Sequence, residues 1–194
     1  TIYSQEGVLT HHSVDCSDGI ITEISEGASP REGYLFVDAE GRIVGPGGID
    51  MHIHGGGGRD FSEGTEDCFR TIIKTHLRNG TTALFPTLPS ASNNRIRDAA
   101  EITKKLMKEE GSPVLGLHLE GPYFNIKKCG GQWPEYIRLA KAEEYVPLLE
   151  EFPSIRRWDA APELPGALDF AKECRKHGVV VGLGHTEAGY EDVQ

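Results

Sequence analysis

Two histidines stand two residues apart in the run Pro46-Gly47-Gly48-Ile49-Asp50-Met51-His52-Ile53-His54, and four glycines, Gly55 to Gly58, follow directly. If this run is a β-strand, its period of two puts Asp50, His52 and His54 on one face and Ile49, Met51 and Ile53 on the other. Two imidazoles then enter the same space. Neutral imidazole is a common ligand for zinc, iron and related metals, and glycines let backbone and substrate approach closely. The alternative is a pair of ordinary strand histidines, and only the rest of the chain can choose between the two.

A second candidate is His118-Leu119-Glu120-Gly121-Pro122. On a strand His118 and Glu120 share a face, and a carboxylate at the strand end can bind one metal ion or bridge two. The bland reading is a glutamate salt-bridged at a strand terminus. His118 lies deeper and reads as a hydrogen-bonded core histidine that orients Glu120. The third candidate is Gly182-Leu183-Gly184-His185-Thr186, an imidazole at the end of an apolar run. The other histidines carry no such context: His11 and His12 fall in an N-terminal β-like region, and His76 and His177 fall near helix C-termini, where a partial positive charge is favourable.

The elements that must position these residues alternate from Ile43 onward. Thr65 can cap a helix whose apolar residues Phe69, Ile72, Ile73 and Leu77 follow helical spacing until Gly80. A strand at Thr81 to Pro86 comes next, then a helix marked by Ile96, Ala99, Ala100, Thr103 and Leu106, then a strand at Val114 to Glu120. The pattern continues with a helix from Ala142 to Glu151, an extended segment from Ile155 to Ala161 and a helix lined by Leu168, Ala171 and Cys174. It ends in Val179 to His185, an apolar strand of the kind buried on both faces. Before residue 46, Gly19 to Ile24 and Tyr34 to Ala39 read as short strands between turn residues.

Five strands separated by helices imply a parallel sheet. The metal-competent and polar residues His52, His54, Thr87, Glu120, Glu163 and His185 fall at the C-terminal ends of separate strands, which favours a TIM (β/α)8 barrel over a doubly wound sheet. The expected organisation is residues 1–45 as the N-terminal part of a small β-sandwich domain and 46–194 as a partial barrel, about five of its eight strands, the front portion of a longer protein.

Among 194 residues, 30 acidic side chains against 20 Lys and Arg give a formal charge of −10, which excludes a basic stripe for nucleic acid or an anionic membrane surface. No apolar stretch approaches the roughly 20 residues that span a bilayer, and the N-terminus lacks a signal-peptide pattern. Cys16, Cys68, Cys129 and Cys174 form no Cys-x-x-Cys pair and read as reduced thiols. The expected location is the cytoplasm.

Taken together, the Pro46–His54 block, Gly80-Thr81-Thr82 with Phe85-Pro86-Thr87, Gly116-Leu117-His118-Leu119-Glu120-Gly121-Pro122, Ala161-Pro162-Glu163 and Gly184-His185-Thr186-Glu187-Ala188 resemble the amidohydrolase superfamily. The His-Leu-Glu-Gly-Pro block is most similar to the N-acetylglucosamine-6-phosphate deacetylases within it. This resemblance implies metal-dependent hydrolysis of the acetamide of an amino-sugar phosphate. It implies Glu120 and His185 as ligands of the main ion, with His52 and His54 serving a second position that shares Glu120. Zinc or iron is implied, one or two ions per site, and a homodimer when full length. The family's general acid/base aspartate is expected beyond Gln194, so no catalytic residue is expected in this chain and residues 1–194 alone are expected to be inactive. In the loop after Glu120 many members carry a histidine that contacts the sugar; Lys128-Cys129-Gly130-Gly131-Gln132-Trp133-Pro134 puts Gln132 in that place. Gly131 and Gln132 are thus the implied substrate-binding residues. The galactosamine epimer is the rival substrate, and a truncated, non-catalytic metal-binding or interaction module is the rival function.

Overall fold

A computed structural model describes residues 1–5, 7–27 and 29–193; Glu6, Ala28 and Gln194 lie outside the described residues. The chain divides into two compact units, Thr1–Gly47 and Gly48–Gln194.

The first unit holds two antiparallel ribbons. β1 (Ile2–Ser4) pairs with β2 (Gly7–Leu9), and β3 (His12–Ser17) pairs with β4 (Ile20–Glu26) with a register shift at Asp15/Cys16. Tyr34 to Ala39, expected as a strand, forms none: Leu35 is 91% and Val37 77% exposed. Its β-forming composition fits a pleated surface, but among the described residues no neighbouring strand supplies the ladder that would hold it extended.

The second unit is a partial (β/α)8 barrel. β5 (Gly48–Ile53) is followed by a two-residue ribbon of β6 (Gly55–Gly56) and β7 (Arg59–Asp60), then α1 (Glu66–Arg78), β8 (Thr81–Pro89), α2 (Asn93–Leu106), β9 (Leu117–Glu120), α3 (Ala142–Glu151), β10 (Ile155–Ala160), α4 (Ala167–Lys176) and β11 (Val180–Leu183). The five long strands pair in parallel in the order β11-β10-β9-β8-β5, which is chain order reversed, as helix crossovers between neighbouring strands require.

Local chemistry starts and stops these helices. Thr65 Oγ1 accepts from the Cys68 N–H and caps α1; Ser92 Oγ does the same for α2 through Arg95 N–H. On α2 the expected stripe of Ile96, Ala99, Ala100, Thr103 and Leu106 is buried throughout. On α1 Phe69, Ile72 and Ile73 are buried while Leu77, expected on the same stripe, is 42% exposed in the last turn. On α4 the buried face is Ala167, Phe170 and Cys174, and Leu168, expected to line it, points to solvent. The larger Phe170 selects the packed face, where it meets Trp158, Tyr123 and Tyr145 with ring centroids 5.1–5.2 Å apart. β11 also departs from expectation: Val180 and Leu183 are exposed because it is the end strand of the sheet, whereas β9 is buried along its whole length.

The glycine run has a structural explanation. A Cβ on Gly56 would stand 2.7 Å from the His76 ring of α1, and Gly57, at φ +62°, would press on Thr75. Glycine lets the ribbon lie flat on α1, where Gly55 O accepts from His76 Nε2 at 3.1 Å.

Candidate metal centre

β5 carries Ile53 inward, 7% exposed, and turns His52 toward the strand ends, with His54 one residue past the strand. The Nε2 atoms of His52 and His54 lie 3.1 Å apart. From β9, Glu120 places Oε2 3.0 Å from His54 Nε2 and 3.5 Å from His52 Nε2. From the loop after β11, His185 brings Nε2 to 3.1 Å from the other oxygen, Oε1. The four residues read from the sequence as a cluster are therefore brought together by three strands, with Glu120 at the centre.

The His185 imidazole is held in a defined orientation. His185 Nδ1 lies 2.8 Å from Lys128 O. A carbonyl only accepts, so Nδ1 carries a proton there, and this bond fixes the ring with Nε2 facing Glu120. His185 sits at φ +49°, a sparsely populated region for a residue with a Cβ, and Asn125 N–H donates to its carbonyl at 3.0 Å. Glu163 steadies the same loop: it accepts from Asn125 Nδ2 at 2.9 Å, from Glu187 N–H at 2.8 Å and from the Thr186 hydroxyl. Partial burial would raise the Glu163 carboxyl, but these donors outweigh it and hold the group at about 2. Glu163 thus serves the loop of His185 and stays outside the cluster.

Burial likewise works to raise Glu120, and the hydrogen bonds from His54 and His185, with the nearby His52, more than reverse it, holding the carboxyl at about 2. Glu120 is an anion at any physiological pH. His54 is raised above 6.5, first by its hydrogen bond to Glu120, against the opposing effect of burial.

Gln132, 7% exposed, donates through Nε2 to Glu120 Oε2 at 2.8 Å and accepts the Ser90 N–H at 2.7 Å. Gly131 beside it is exposed, and Trp133 is 49% exposed against Tyr136. His118, fully buried, does not touch Glu120. It lies 3.1 Å from Thr87 Oγ1 and 3.1 Å from Asp159 Oδ2, with burial lowering its affinity for a second proton. Asp159 and its partner Arg157 on β10 were not singled out from sequence. Oppositely charged residues at i and i+2, on one face of the run Ile155 to Ala160, were the available signal.

The cluster fits a small divalent cation. Ligand atoms bonded at roughly 2.0–2.1 Å in a tetrahedron lie about 3.3 Å apart, and the nitrogen and oxygen atoms of His52, His54 and Glu120 are 3.0–3.5 Å apart. One anionic oxygen donor among imidazole nitrogens is the donor set that zinc and iron favour.

The chain matches the Amidohydrolase family model over residues 43–190. It is 31% identical over 191 residues to N-acetylglucosamine-6-phosphate deacetylase of Haemophilus influenzae, covering 98% of this chain and 50% of that protein. It is 28% identical over 198 residues to N-acetylgalactosamine-6-phosphate deacetylase of Escherichia coli O157:H7, covering 100% and 51%. The crystal structure of N-acetylglucosamine-6-phosphate deacetylase from Pasteurella multocida superposes with a TM-score of 0.92 at 28% identity, over all of this chain and 51% of that one. The chain thus spans about half the length of the curated relatives it matches. With this match extending from β5 through the His185 loop, the chain belongs to the amidohydrolase family.

Proposed function

We propose that this chain contributes the metal-binding half of a deacetylase that hydrolyses the N-acetyl group of N-acetylglucosamine 6-phosphate, giving glucosamine 6-phosphate and acetate. The observation that carries this reading is the convergence of His52, His54 and His185 on the two oxygens of Glu120. The relatives named as deacetylases of amino-sugar 6-phosphates support the substrate class.

In this reading Glu120 and His185 would hold the main ion, and His52 and His54, together with Glu120, would offer a second position. A bound zinc or iron ion would supply hydroxide near neutral pH and polarise the acetyl carbonyl. The protein's part is orientation. Lys128 O fixes the His185 tautomer, and Gln132 holds Glu120 Oε2 toward the two strand histidines. In the reaction, oxygen from water adds to the acetyl carbon, the carbon–nitrogen bond breaks, and the nitrogen leaves as an amine after taking up a proton. Gly131 and Gln132, on the loop beside Glu120, are the residues we place against the sugar. Gln132 there does not titrate near neutrality, so sugar recognition through it would not vary with pH. We place the full-length protein in the cytoplasm, as a homodimer.

The test is acetate release by the full-length protein from N-acetylglucosamine 6-phosphate, its galactosamine epimer and unphosphorylated N-acetylglucosamine. The reading expects the first to be the best substrate and the unphosphorylated sugar the worst. No acetate from either phosphate would overturn it, and preference for the epimer would reassign the sugar.

A further inference from the structure

The backbone on either side of His52 is gripped from two other strands. Met51 O accepts from an Arg157 guanidinium N–H on β10 at 3.3 Å, and Ile53 N–H donates to Thr87 Oγ1 on β8 at 2.9 Å. The Thr87 hydroxyl has one proton to give, to Phe85 O at 3.2 Å or to His118 Nδ1 at 3.1 Å. If it goes to Phe85, a neutral His118 must donate from Nδ1, and its bare Nε2 lone pair then faces the Asp159 carboxylate at 3.1 Å. If it goes to His118, Nε2 carries the ring proton and turns a positive edge toward the Asp159 carboxylate at 3.1 Å. The second arrangement is the one a dry interior selects.

Asp159 is fixed in turn by Arg157, whose Nε lies 3.0 Å from Oδ1. The relay therefore closes on itself: Arg157 holds both Asp159 and Met51 O, while Thr87, oriented by His118, holds Ile53 N–H. One further contact reaches a ligand side chain: the His118 ring packs edge-on against His52 with centroids 4.7 Å apart. His52, His118 and Asp159 are close enough to be a second ion site by distance alone. With the Arg157 cation already on both Asp159 oxygens, however, a dication there would meet a positive charge.

We infer that Thr87, His118, Asp159 and Arg157 are positioning residues that fix the His52–His54 segment for ion binding, with the Thr87 hydroxyl as the direct grip. The inference rests on the metal reading above, and two readouts separate them. In the full-length, metal-stripped protein, amide exchange at Ile53 reports the grip without any ion. Zinc titration against a competing chelator reports its consequence. Thr87→Val is expected to expose the Ile53 amide and weaken zinc binding about 10–100-fold. Thr87→Ser, which keeps the hydroxyl, should restore both to within about threefold, and Arg157→Met should weaken zinc in the same direction. A merely structural role would lower the metal-free unfolding midpoint without this pattern of rescue. Unchanged Ile53 exchange in Thr87→Val, or zinc affinity equal to wild type, would overturn the inference. If wild type bound no zinc, the metal reading would fall, and Ile53 exchange alone would decide the grip.

Discussion

A single methyl group on β11 should disturb the relay from a distance. A Cβ added at Gly182 would stand 2.0 Å from Asp159 Oδ1, 2.8 Å from its Cγ and 3.2 Å from an Arg157 nitrogen. Asp159 is 5% exposed, so the carboxylate cannot swing into water, and ordinary contact requires it to retreat by an ångström or more. Its hydrogen bonds to Arg157 at 3.0 and 3.2 Å would then stretch past hydrogen-bonding distance, and its 3.1 Å contact with His118 would lengthen. Weakening a buried charged pair while its partners stay buried costs roughly 2–4 kcal/mol. Urea unfolding followed by the fluorescence of buried Trp158 should show Gly182→Ala destabilised by about that amount. Gly184→Ala, where a Cβ meets nothing within 4 Å, should change stability by less than about 0.5 kcal/mol. The decisive control is a double-mutant cycle: with Asp159→Ala already in place, most of the cost of the added methyl should vanish. A Gly182→Ala protein as stable as wild type, or an equal cost in the Asp159→Ala background, would refute the reasoning.

Other perturbations follow from the same contacts. Trp158 is fully buried, stacks on Tyr123 and donates from Nε1 to Gly121 O at 2.8 Å, so Trp158→Phe should cost about 2–4 kcal/mol by thermal unfolding; a loss under about 0.5 kcal/mol would contradict this. Glu163, depressed from 4.5 to about 2, contributes stability that is fully present above pH 4.5 and is lost as pH falls toward 2. The free energy of unfolding measured across that window should decline more steeply for wild type than for Glu163→Gln, in which Glu120 still titrates; parallel profiles would sink the assignment. Gln132→Leu keeps volume but removes the donor to Glu120 Oε2 and the acceptor of the Ser90 N–H, so zinc binding should weaken roughly 10-fold. A titration indistinguishable from wild type would remove Gln132 from the support of the centre.

The clustering of His52, His54, Glu120 and His185 was legible in sequence because strand alternation fixes which side chains share a face. His52, Glu120 and His185 needed only a strand direction and a shared end to be predicted together, and α2 announced its buried stripe through spacing alone. What remained hidden depends on partners far along the chain. Asp159 meets His118 across 41 positions and Arg157 meets Met51 across 106, and no local period reports such pairs. The same limit explains His118, whose place on the Glu120 face suggested a bond to Glu120 when its partners were on β8 and β10. Leu168 and the Tyr34–Ala39 run misled for a related reason: apolar composition marks surface that can be buried, and packing decides whether it is.

The most direct test of the account is zinc titration of the metal-stripped, full-length protein, with acetate release from N-acetylglucosamine 6-phosphate followed at each addition. Activity should rise in step with one or two bound ions per chain, and His185→Ala should lose both binding and activity. Full activity in the metal-stripped protein, or His185→Ala binding zinc and releasing acetate like wild type, would contradict it.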